Sequence, residues 1–267
     1  MESKISIFIT CLVFAAAFQL LLPVSEASLK VGYYKSKCKK AESIVKSTVR
    51  NFIVKNPGLV AGVIRMFFHD CFVRCEMDIC KVVVNVDLRK SRLDGRVSNG
   101  SEALQLLPPP SFNLTQLEAS FARNGLSTAE MVTLSGAHSI GRSHCSSFTS
   151  RLYPTIDPTM NQGFGSSLRK LCPQNAAVDG VVPQDFVSPN KLDEQYYKNV
   201  ESLTALFFSD WSLLTSSETQ KQVDTYTKVP GAFKVDFANA MIKMGSISDA
   251  LAGSSGEVRG PTCRAVN

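Results

Sequence analysis

Along most of the chain, apolar residues recur three and four positions apart, the spacing of a half-buried helix rather than the alternation of a strand. Between Ala41 and Val54, residues Ile44, Val45, Val49, Phe52 and Ile53 fall on one side. Asn56-Pro57 ends that run where a proline can open the next helix. A second helix is predicted over 59–72, with Val60, Val63, Ile64 and Phe67 on its buried face. Asn113 with Gln116, and Ser127 with Glu130, have the spacing of capping boxes, in which two backbone donors are satisfied reciprocally at a helix start. The first of these helices is expected to stop at Gly125 and the second to run to His138. Further helices are predicted over 192–206, 216–226 and 230–243; Phe233, Phe237, Ala240, Met241 and Met244 share a face at the last, and Gly245 follows. Strand signals are few and no internal repeat is evident, so the fold class is mainly α.

One apolar stretch departs from this periodicity. Ile5 to Val24 is nearly continuous, follows Lys4 and leads into Ser25-Glu26-Ala27, which reads as a secretory signal peptide over 1–27. A membrane anchor is the alternative, although no basic flank follows and Thr10 and Gln19 interrupt the run. Removing Lys4, Glu2 and Glu26 raises the net charge from +6 to +7. That charge is dispersed: it forms no stripe for nucleic acid and suits an acidic polysaccharide matrix. Asn99-Gly-Ser and Asn113-Leu-Thr are glycosylation sequons. Of eight cysteines, Cys11 falls in the signal segment, so an odd number remains for an oxidising compartment. Three histidines and the lack of any Cys-x-x-Cys argue against zinc. The length of 267 residues allows one large domain or two small ones.

Two segments carry candidate chemistry. In Arg65-Met-Phe-Phe-His69-Asp70-Cys71-Phe72, Arg65 and His69 stand one helical turn apart. A permanent cation beside a titratable imidazole suits acid–base chemistry on a small polar substrate. The second segment is Leu134-Ser-Gly-Ala-His138-Ser139-Ile-Gly141, whose two small residues let a flat group approach the backbone. Each histidine, taken alone, is more often a structural residue.

Together, in this order, the two segments resemble the secreted plant haem peroxidases (class III), over residues 30–75 and about 92–267. The resemblance implies a two-lobed helical fold with haem b between the lobes: a domain over 28–267, its distal lobe at 28–100 and its proximal lobe at 101–267. It implies His69 as the acid–base group, Arg65 as stabiliser of the leaving oxygen, and Phe68 beside the cofactor. His138 becomes the axial iron ligand and Asp210 its carboxylate partner; read alone, Asp210 is a helix-cap residue. Pro108, in Leu107-Pro-Pro-Pro110, is placed at the substrate opening, though a stiff linker reads the same way. Ser139, Asp185, Ser188 and Asp193 match a proximal calcium site, with Lys191 offering only its carbonyl; hydroxyls and carboxylates are suitable oxygen ligands. Asp70 and Val73 remain of a distal calcium site. The implied disulfides are Cys71–Cys75 and Cys145–Cys172, with Cys80 joined to Cys38 or Cys263.

The chain departs from the family between these parts. After Cys75 it reads Glu76-Met-Asp-Ile-Cys80, and by Val86-Asp-Leu88 it has reached the strand leading to the Arg92-Leu-Asp94-Gly-Arg96 turn. A helix on the haem face, the Asn that positions the distal His, and a Glu of the same network lack counterparts, so the distal lobe is shortened by an internal deletion. The resemblance implies a monomeric enzyme of the cell wall or apoplast that reduces hydrogen peroxide and oxidises small phenolic donors. It implies no nucleic-acid partner, and no membrane partner once the signal is removed. The alternatives are a catalytically impaired or inactive secreted remnant, and a binding protein built on the proximal lobe.

Overall fold

The computed structural model describes Ser36, residues 38–73 and residues 100–247. The signal segment, Asn99, the junction, Cys75, Cys80 and Cys263 lie outside those residues. Ten α-helices are described: α1 Ala41–Lys55, α2 Leu59–Phe72, α3 Gly100–Leu106, α4 Leu114–Ala122, α5 Thr128–Ser135, α6 Gln162–Leu171, α7 Gln195–Glu201, α8 Phe208–Ser212, α9 Ser217–Lys228 and α10 Ala232–Met244. Two strands, β1 Arg142–His144 and β2 Val181–Pro183, form an antiparallel ribbon with Ser143 opposite Val182. Among the described residues no helix is long and apolar enough to cross a membrane.

Both capping boxes form. Gln116 N–H donates to Asn113 Oδ1 at 2.9 Å while Asn113 N–H donates to Gln116 Oε1 at 3.0 Å. Ser127 N–H reaches Glu130 Oε2 at 2.7 Å. Other expectations need correction. The helix expected to reach His138 is α only to Ser135, then tightens into a 3-10 turn over Gly136–Ser139. A Cβ on Gly136 would lie 2.6 Å from the Tyr197 hydroxyl, so the close approach of α7 excludes any side chain there. The helix expected over 192–206 shrinks to Gln195–Glu201, because Leu203 turns left-handed at φ 60°. The last helix starts at Ala232 rather than Pro230, behind Gly231 at φ 82°.

The main core lies among α2, α4, α5, α7, α9 and α10, where Phe72, Phe121, Met131, Tyr197, Val223 and Phe233 are buried. Each such side chain contributes about 1.5–3 kcal/mol relative to exposure. A second core of Phe148, Leu152, Met160, Leu168 and Leu206 sits under α6 and is closed by the Cys145–Cys172 disulfide, Cα atoms 5.5 Å apart. Helix α1 buries no residue; Phe52 is 60% exposed and Val54 73%.

Candidate active site

His138 sits in the 3-10 turn after α5, so its position is set by the buried, capped helix before it. Its Nδ1 lies 2.8 Å from Asp210 Oδ1. Asp210 is in the first turn of α8 and its side chain is only 3% exposed, against 37% for His138. The carboxylate has two further donors: the Tyr196 hydroxyl reaches Oδ1 at 2.8 Å, and the Phe207 backbone N–H reaches Oδ2 at 3.2 Å. A buried carboxylate is tolerated because donors surround it. Burial, and then the Asp210 charge, hold the Tyr196 hydroxyl well above its ordinary pKa, so it stays a donor. With Nδ1 donating to Asp210, a neutral His138 ring carries its lone pair on Nε2. Among the described residues nothing hydrogen-bonds Nε2. Tyr196 and Phe207 meet the ring edge-on, with centroids 6.0 and 5.1 Å away, and fix its plane. One nitrogen oriented by a carboxylate and the other free is an arrangement that suits a metal-binding imidazole.

Arg65 and His69 share a side of α2. Arg65 Nε donates to His69 Nε2 at 3.3 Å, which makes Nε2 the acceptor and puts the ring proton on Nδ1. Burial lowers the His69 pKa, the Arg65 charge lowers it further, and Asp70 opposes both. The shift favours the neutral ring, the form that can act as a base. Ala61 stands one turn before Arg65 and two before His69. It packs on Gly141, where φ is +100° and an added Cβ would lie 2.9 Å from the Ala61 Cβ. The side of α2 that carries Arg65 and His69 thus begins against the backbone three residues beyond His138. Among the described residues no hydrogen bond or ion pair joins the two pairs.

A third cluster lies next to His138. Ser139 is fully buried and its hydroxyl donates to the Lys191 carbonyl at 2.7 Å, while Asp193 N–H donates to Ser139 Oγ at 3.1 Å. The Ser188 hydroxyl stands between Asp185 Oδ2 (3.3 Å) and Asp193 Oδ1 (3.1 Å). Asp185 is fully buried and also accepts the N–H groups of Val187 and Ser188. Two carboxylates, two hydroxyls and a carbonyl converge, a donor set suited to a hard cation, and among the described residues neither carboxylate is ion-paired with a lysine or arginine. Among the described residues no group of three His, Cys, Asp or Glu side chains could hold a metal; this cluster has two carboxylates and otherwise neutral oxygens.

The other expected residues fall as follows. Phe68, partly buried, packs against the core on Phe72 and Phe121, with centroids 4.3 and 6.4 Å away. Asp70 lies on α2 beside His69, and Val73 caps the helix by donating to the His69 carbonyl at 2.9 Å. Pro108 belongs to a segment fixed to α8 through Ser209 N–H and the Pro110 carbonyl, 3.0 Å apart. Cys71 is buried and Cys38 exposed; Cys75, expected to pair with Cys71, and Cys80, expected to pair with Cys38 or Cys263, lie outside the described residues, as does Cys263. Tyr196 and the Phe207 N–H were not expected at the site. No spacing in the sequence announces them, because both reach Asp210 only through the fold.

The peroxidase family model matches residues 74–229, a span that contains His138 and Asp210. Peroxidase 2 of Zea mays is 39% identical over 324 residues, covering 96% of this chain and 96% of the relative. Peroxidase 5 of Vitis vinifera is 37% identical over 306 residues, with 91% and 92% covered, and Peroxidase 66 of Arabidopsis thaliana is 36% identical over 301, with 88% and 93%. The chain belongs to the plant class III peroxidase family. Its mainly α architecture agrees with that membership. The maize alignment, at 324 residues, is longer than the whole chain of 267, so that peroxidase has residues for which this one has no counterpart.

Proposed function

We propose that this peroxidase is a secreted haem enzyme that reduces hydrogen peroxide and oxidises small phenolic donors. The observation that carries the reading is the His138–Asp210 pair: a partly exposed imidazole whose Nδ1 is held by a buried carboxylate and whose Nε2 meets no hydrogen-bond partner among the described residues. His138 would hold haem iron through Nε2, with Asp210 making the ring more electron-donating. Bound haem supplies the electrons that cleave the peroxide O–O bond and keeps the oxidising equivalents for the donors. His69 Nε2, kept unprotonated, takes the proton from the peroxide and returns it to the departing oxygen. Arg65 stabilises the charge that develops on that oxygen. Asp185, Asp193, Ser139, Ser188 and the Lys191 carbonyl would hold calcium, which ties the His138 turn to the loop before α7. In the same reading residues 1–27 are removed on secretion, Asn113 is a glycosylation site, and Pro108 borders the donor opening.

The test is peroxide-dependent oxidation of guaiacol by haem-loaded protein. Activity that falls at least 100-fold in His69→Ala supports the reading; haem-loaded protein with no activity, or activity indifferent to His69, overturns it. A second reading, a remnant with impaired catalysis, is favoured by one observation. Helix α1 buries nothing and leaves Ile44, Phe52 and Val54 exposed, as expected where a covering wall is missing.

A further inference from the structure

Three tyrosines connect the His138 site to the protein surface. The Tyr196 ring stands 6.0 Å from the His138 ring between centroids, and its hydroxyl is bonded to Asp210. Tyr197 follows at 4.9 Å and Tyr226 at a further 4.8 Å. All three are buried, with at most 2% exposed, and Phe233 packs on both Tyr197 and Tyr226 at 5.2 and 5.8 Å. At the far end the Tyr226 hydroxyl donates to Asp236 Oδ2 at 2.9 Å, and Asp236 is exposed. Packing alone demands buried aromatic rings; it does not demand three phenols in sequence, the outermost hydrogen-bonded to an exposed carboxylate.

We propose that Tyr196, Tyr197 and Tyr226 form a relay that carries an oxidising equivalent from the haem site to a second oxidation site at the surface between α9 and α10. The proposal rests on the haem peroxidase reading above. A phenol is oxidised readily only when its proton has somewhere to go, and the three hydroxyls differ in this respect. Tyr197 donates to the backbone carbonyls of Val132 and Thr133, which are poor bases, so its ring is a bridge and not a stopping place. Tyr226 faces a carboxylate. There the step balances: the peroxide-oxidised haem gains one electron, Tyr226 loses one electron and becomes a neutral phenoxyl radical, and its proton moves to Asp236. A reductant too large for the haem opening then returns one electron to Tyr226, and the proton goes back from Asp236. The ligand class is a bulky one-electron donor that docks over Asp236 and Gln222; Gln222 Nε2 already donates to the Tyr226 hydroxyl at 2.9 Å.

The test uses haem-loaded protein, hydrogen peroxide, freeze-quench electron paramagnetic resonance, and ferrocytochrome c as the bulky donor. A tyrosyl signal is expected, and Tyr226→Phe, which keeps the ring, should remove it. The same variant should slow ferrocytochrome c oxidation at least tenfold while guaiacol oxidation stays within twofold. Asp236→Asn, at an exposed position, guards against misfolding of the first variant and should reduce both the signal and ferrocytochrome c oxidation. A haem absorbance band that responds to peroxide without a tyrosyl signal, or a signal and bulky-donor rate unchanged in both variants, overturns the relay alone. Failure to take up haem overturns the relay together with the reading on which it rests.

Discussion

Asp210→Asn tests the proximal arrangement most sharply, since it keeps the shape and removes the charge. In one orientation the new amide oxygen faces His138 and Tyr196, and its NH2 group meets the Phe207 N–H, which sits 3.2 Å from Oδ2 in the native protein. Two donors then oppose each other in a site with 3% side-chain exposure. At about 1–3 kcal/mol for a buried donor without an acceptor, the expected loss is roughly 2 kcal/mol. For a chain of this size that lowers the midpoint of thermal unfolding by about 4–8 °C. In the flipped orientation the NH2 faces His138 Nδ1, which must then accept, and the ring proton moves to Nε2, the nitrogen proposed to hold iron. Either outcome weakens haem retention, by about 10–100-fold if the carboxylate acts as such partners do elsewhere. The assay is circular dichroism melting of the haem-free chain together with haem titration. Asp224→Asn, at a half-buried carboxylate held by Lys228 and Glu201 away from His138, is the control and should leave haem affinity unchanged. An Asp210→Asn protein with the native midpoint and native haem affinity would refute the reasoning.

Three further outcomes are expected. Peroxide reduction should keep its rate down to a pH below the usual histidine value of 6.5, because burial and then Arg65 depress the His69 pKa; Arg65→Leu, assayed across pH, should move the acid limb upward but not abolish it. The sign for stability is the same: a depressed pKa contributes stability above the unfolded value, which is lost as pH falls through the folded one. Calcium at 100 times its dissociation constant should stabilise the chain by about 2.7 kcal/mol, seen as a higher melting midpoint, and Asp185→Ala should remove that increment. Replacing Cys145 and Cys172 together by serine opens a loop with a sequence separation of 27 and should cost about 3–4 kcal/mol in denaturant unfolding.

What could be read from the sequence was local or came from long motifs. The capping boxes at Asn113 and Ser127 are four-residue patterns with one physical solution, and both form. Helix α2 declares itself by its apolar period. Helix α6 did not, because Gly163, Gly165, Ser166 and Ser167 lower its propensity; tertiary contact holds it, with Leu168 fully buried and Ile156 packed where a Gly165 Cβ would be. The three-residue strands are too short to show a period, and their pairing is fixed by the chain on either side. The His138–Asp210 pair spans 72 positions. Only the family resemblance suggested it, and no residue pattern in the chain predicts that Tyr196 completes it. The start of α10 was misplaced by two residues, since Pro230-Gly231 reads equally as a helix opening and as the turn it is.

The most direct measurement of the central claim is a haem titration of the refolded chain over residues 28–267, followed by absorbance, beside His138→Ala. The account predicts one equivalent of haem taken up by the native chain, with an absorbance band that changes on addition of hydrogen peroxide. His138→Ala should bind far more weakly, and added imidazole should restore the band. Absence of uptake by the native chain, or uptake that His138→Ala leaves intact, would contradict the account.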